Sequence, residues 1–153
     1  MTVSYATVDA VDGAVVGLLA ALLTISLLPR LATGGAVPTD LFWSKYVGSG
    51  PPSEYTTEGT VLHLLAGALA GAALGWLAPT YPVGWPEGEP FGASVFGAAF
   101  NALVFGAFLS VDALALFSGP LELDIDGRTV GAVIVLHLAW GSAVGVALGF
   151  HLA

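Results

Sequence analysis

Four stretches of this chain, at about residues 10–31, 60–79, 91–116 and 129–152, carry no charge in their middle, and this limits the fold before any motif is considered. A hydrocarbon layer ~30 Å thick takes about 20 apolar residues of α-helix at ~1.5 Å per residue. Each stretch reaches that length; only Asp12, Pro29 and Arg30 interrupt the first, near its ends. A water-soluble helix of such length needs a polar face, and residues 18–28 and 61–78 offer almost none. The composition agrees, with 56% hydrophobic and 9% charged residues, where a soluble domain carries about 25% charged. The sequence therefore predicts an all-α integral membrane protein, multi-pass in the cell membrane. It is expected to form one four-helix bundle over residues 1–153, with the lipid bilayer as its surroundings. The N-terminal MTVSYATVDAVDG has no Lys or Arg, unlike the basic start of a secretory signal.

The chain also repeats itself. VLHLLAGALAGAALGW (61–76) and VLHLAWGSAVGVALGF (135–150), offset by 74, agree at nine of sixteen positions, with one histidine and three glycines in register. GAVVGLLAALL from Gly13 and GAAFNALVFGA from Gly97 match more loosely. Duplication of a two-helix hairpin, an even number of crossings, leaves both copies in one orientation. They are then related by a pseudo-two-fold axis along the membrane normal, and His63 and His137 are expected at similar depth. Within the repeat, Gly67, Gly71 and Gly75 recur every four residues, as do Gly141, Gly145 and Gly149. Residues four apart drift only about 40° around a helix, so each trio makes a flat groove, a glycine zipper. In lipid such grooves let backbones approach and gain van der Waals contact. The contact is either internal to the bundle or a homo-oligomer interface.

His63 and His137 each have a glycine four residues on, so each ring lies over the start of a groove. Ionisable groups at membrane depth are costly and face protein or a water-filled cavity. A neutral imidazole costs less and is satisfied by one hydrogen bond. Three readings follow: two structural histidines; a b-type haem with both as axial ligands; or a proton or small-solute pathway, for which four helices leave room only in an oligomer. Arg30, Lys45 and Arg128 are the only cations available for haem propionates. Trp140, three residues after His137, is close enough to stack on it or to fill the bundle. Ser94, Asn101 and Asp112 fall within about 20° of one helical face. They line a cavity, or Asp112 lies at the interface and Asn101 bonds to a neighbouring helix. His151 is expected near the opposite surface.

Eleven acidic residues against three basic ones argue against nucleic acid as a partner, and resemble the acid-rich, lysine-poor surfaces of haloarchaeal proteins. Arg30 closes the first span, Lys45 follows it and Arg128 precedes the fourth, so all three basic residues fall at the same face. Lys and Arg favour the cytoplasmic side, so the termini are expected outside. PTDLFWSKYVG reads as a short interfacial helix at about 39–48, capped by Thr39 or Asp40 and stopped at Gly48. Without cysteine there is neither disulfide nor thiolate metal site. No phosphate loop, nucleophile elbow or HExxH is present, and DIDG at 124–127 lacks the later ligands of a calcium loop.

The pieces DGAVVGLLAALLTISL, LFWSKYVG, LHLLAGALAGAALGWL, FGAAFNALVFGAF and LHLAWGSAVGVALG together resemble the uncharacterised YagU-like four-helix inner-membrane proteins and their archaeal relatives. The resemblance covers nearly the whole chain and rests on the histidine followed by glycines in both even helices. It implies the topology and supplies no activity, substrate or cofactor. The expected function is therefore non-enzymatic, structural or accessory, with no metal or resident cofactor and with a second copy or another membrane protein as the expected partner; the haem and pathway readings stand as alternatives.

Overall fold

The computed structural model describes residues 9–27, 37–77, 91–122 and 127–152, the side chains of 91–94, 129, 151 and 152 excepted. Among these residues the chain is all-α: α1 (Ala10–Thr24), α2 (Pro38–Tyr46), α3 (Thr56–Leu77), α4 (Phe91–Ser118) and α5 (Gly127–Leu152), with a single 3₁₀ turn at Pro52–Glu54. Three helical segments, Thr56–Leu77, Val95–Ser118 and Val130–Phe150, are long and apolar enough to cross a membrane. α1 is apolar but shorter. Its 15 residues span ~22 Å, less than the expected run to residue 31, and residues 28–36 lie outside the described residues. Asp9 starts α1 with a capping box: its carboxylate accepts from Val11 N and Asp12 N, while Asp12 accepts from Asp9 N. At the other end Leu27 N donates to the Thr24 carbonyl, and Thr24 and Ser26 hydroxyls bond back to Ala21 and Leu23. This turn ends the helix inside an apolar run.

Small residues lie at the helix contacts, and many large apolar ones lie outside. The buried residues of α3 are Gly59, Gly67, Gly71, Leu74 and Gly75, whereas Leu69 and Trp76 are 70% and 72% exposed. Phe96, Phe108 and Val111 of α4 and Val135 and Phe150 of α5 are likewise exposed. In water such a surface drives association. In lipid, where tails are as apolar as leucine, close backbone approach through small residues is what holds helices together.

Two antiparallel pairs result, α1 with α3 and α4 with α5. A Cβ placed on Gly71 would strike the Gly13 carbonyl and lie 2.8 Å from the Gly17 Cα; one on Gly75 would strike the Asp9 carbonyl. In the second pair, a Cβ on Gly141 would lie 2.5 Å from the Ala102 oxygen, and one on Gly145 2.5 Å from the Ala99 Cα. Gly149 is buried too. Both seams are thus filled by helices of the same chain. α1 also meets α5, and among the described residues no contact of comparable extent joins α3 to α4. Leu74, Val144 and Leu148, fully buried, fill the core toward the end where α1 begins.

α2 closes the opposite end. Pro38 occupies its first turn after Val37, not Thr39 or Asp40 as cap, because proline's fixed φ suits a helix start where no N–H partner is needed. Phe42 packs against Phe117, Leu121 and Val133 of the second pair, the Tyr46 hydroxyl donates to the Pro120 carbonyl, and Lys45 pairs with Glu122 at 3.3 Å. Glu122 takes a positive φ of 53° as the chain turns out of α4. Ser49 N and Gly50 N both donate to the Tyr55 hydroxyl, at 3.0 and 2.9 Å, tying down the link from α2 to α3. α2 and the turn after α4 therefore lie at one end of the molecule. The loop at 78–90, Arg30 and DIDG (through Asp126) fall outside the described residues.

Candidate functional site

A partly open cavity of about 140 Å³ lies where the two pairs meet. Ala21 and Thr24 of α1, His63 and Gly67 of α3, Leu109 of α4, and His137 and Trp140 of α5 contribute to its wall. The histidines reach it by spacing. His63 is seven residues into α3 and His137 ten into α5, roughly 10 and 15 Å along helices that start at the same end.

The two imidazoles differ in their partners. His137 Nδ1 donates to the Val133 carbonyl one turn earlier, at 2.9 Å. His63 Nε2 is buried without a partner among the described residues. The Thr24 hydroxyl donates to the Ala21 carbonyl at 3.1 Å. Trp140, 5% exposed, sends its indole N–H across to the Gly17 carbonyl at 3.1 Å. That bond bridges α5 to α1 beside the cavity, a role that proximity to His137 did not suggest. Ala66, the repeat counterpart of Trp140, has no side chain able to make the equivalent bridge, in line with the weaker α3–α4 contact.

The remaining candidates stay apart from the cavity. Asn101 is 1% exposed and sits on α4 one position before Ala102, which packs on α5. Asp112 is exposed, so the helical stripe passes from buried to open surroundings along its length; the side chains of Ser94 and His151 lie outside the described residues. Among the described residues no three His, Cys, Asp or Glu gather in a way that could hold a metal. Thr24 and Ala21 were not evident beforehand; the only signal was a hydroxyl within the apolar first span.

One further titratable group is buried away from the spans. Asp40 of α2 is 6% exposed and packs over Gly59 of α3, where a Cβ would strike its carboxylate. Burial pushes this carboxyl above the usual carboxylate range. Comparison of the chain with known protein families, with curated proteins and with solved structures finds no match.

Proposed function

We propose that this protein is a multi-pass integral membrane protein of structural or accessory, non-enzymatic role, built from two related hairpins and presenting an apolar outer surface to lipid and to membrane partners. The observation that carries the reading is the reversal of residue size: glycines at the helix contacts, and leucine, phenylalanine and tryptophan at the surface. In this reading α1 completes a fourth crossing, and the glycine trios are zippers inside each hairpin. Support for duplication comes from the seams, since Gly67 and Gly71 face α1 as Gly141 and Gly145 face α4. Positive residues near the α2 end favour a cytoplasmic location for that end, with both termini outside. The layout suits the YagU-like resemblance.

The cavity weighs on the other two readings. At about 140 Å³ it is far below the ~300–1,000 Å³ of cofactor-sized pockets, so a haem between His63 and His137 would have to force the helices apart. A pathway through the chain would meet the packed Leu74, Val144 and Leu148. The test is fractionation with alkaline carbonate, followed by impermeant maleimide labelling of Ser49→Cys, in a chain that has no other thiol. Retention in the membrane pellet and labelling only in inside-out vesicles are expected. Release into the soluble fraction would overturn the membrane reading, and labelling only in right-side-out vesicles would overturn the orientation.

A further inference from the structure

We propose that the cavity between the hairpins holds the end of a hydrocarbon chain from a bilayer lipid, with room for about six of its carbon atoms. The inference rests on the membrane reading above. The volume is about 140 Å³, and an apolar cavity of about 150 Å³ takes up benzene. Ala66, Ala70, Leu109 and Leu136 give it apolar walls. Nearby polar groups are turned elsewhere. The Trp140 N–H bonds to Gly17, the Thr24 hydroxyl to Ala21 and His137 Nδ1 to Val133, and the buried His63 Nε2 does not open into the cavity.

The sequence repeat explains the opening. Ala66 stands where its counterpart has Trp140, whose indole spans from α5 to α1. A methyl group spans nothing, so the matching gap beside α3 stays unfilled. Ala66 is exposed, whereas Ala21, Gly67 and Trp140 behind it are buried, so the cavity opens outward past α3. Leu65 and Leu69 of α3 and Phe108 of α4 are exposed as well, and they carry apolar surface up to the mouth. Depth selects the part of the lipid. Ala66 is about ten residues into α3, a helix of 22, and therefore ~15 Å along it. That is the middle of a hydrocarbon layer ~30 Å thick, where acyl chains end. Atoms lining an empty cavity forgo van der Waals contacts; a chain end supplies them and leaves every polar bond in place.

The experiment is fluorescence quenching by phosphatidylcholine with brominated chains. The full chain with Trp43→Phe, Trp76→Phe and Trp85→Phe keeps one tryptophan, Trp140, which at 5% exposure is shielded from lipid at the outer surface. In bilayers brominated toward the chain ends it is expected to lose most of its emission, and to lose less when the bromines lie beside the ester. Ala66→Phe, which puts a ring into the mouth, is expected to restore the emission while retaining the helical spectrum. A companion chain, with Trp140→Phe and Leu69→Trp added, carries its indole on the exposed face of α3 and is expected to be quenched whenever the chain is embedded. Quenching at position 69 without quenching of Trp140, or quenching of Trp140 that Ala66→Phe leaves unchanged, would overturn the lipid site and leave the membrane reading standing. Quenching at neither position would overturn both. The comparison of the two indole positions needs no cavity-filling variant.

Discussion

Replacing Gly71 by alanine adds one methyl group where α3 faces the Gly13 carbonyl and the Gly17 Cα. Both neighbours are backbone, so neither can swing aside, and the two helices have to part or slide. Overpacking of this kind costs about 1–3 kcal/mol. Alanine also favours a helix over glycine by ~0.8–1.0 kcal/mol, leaving a net loss of about 0–2 kcal/mol. Gly131 of α5 supplies the control, because a Cβ there meets nothing within 4 Å. Gly131→Ala collects the propensity gain alone. The difference between the two variants then isolates the steric term, ~1–3 kcal/mol. Reversible unfolding in mixed micelles, driven by a rising fraction of SDS and followed by far-UV circular dichroism, measures it. If Gly71→Ala comes within about 0.5 kcal/mol of Gly131→Ala, below the range expected for overpacking, the seam does not hold α1 to α3 and the argument fails.

Trp140→Phe keeps an apolar ring but loses the bond to the Gly17 carbonyl; a loss of about 0.5–1.5 kcal/mol is expected in the same unfolding assay. Asp40→Asn removes a carboxylate that burial disfavours. With its folded value raised, the native state holds the proton more tightly than the unfolded chain, so stability falls as pH rises from about 3.9 through the folded value. A stability profile against pH is expected to show that fall in the parent and not in Asp40→Asn, which is the more stable of the two at neutral pH. Lys45→Ala breaks an ion pair whose side chains are 36% and 81% exposed; the change is expected to stay below about 1 kcal/mol and to vanish in high salt, read from melts at two ionic strengths.

Apolar runs and four-residue glycine spacing made the long helices and the contact faces of α3 and α5 legible, because both are local properties of one segment. The partners of those faces were not. Spacing announces that something approaches Gly67 and Gly71, but only three-dimensional packing makes it α1. The end of α1 was hidden for a different reason: Ile25, Leu27 and Leu28 are as apolar as the helix before them, so hydropathy cannot separate a hydrogen-bonded turn from another helical turn. In the candidate site, the histidine repeat pointed to both rings. The Trp140–Gly17 bond crosses 123 positions of sequence, and no pattern within α5 encodes it. The docking of Phe42 on Phe117, Leu121 and Val133 was unreadable too, since an amphipathic segment of that kind suits a headgroup layer equally well.

With Leu69 and Phe108 already at the outer surface, separating the hairpins within a bilayer moves few apolar side chains into water. Heat capacity rises on unfolding mainly because apolar surface becomes hydrated, by about 0.45 cal/K/mol per Å². For a chain embedded as proposed that contribution nearly disappears. Its stability should then change almost linearly with temperature instead of tracing a dome, and cooling should bring no second melting.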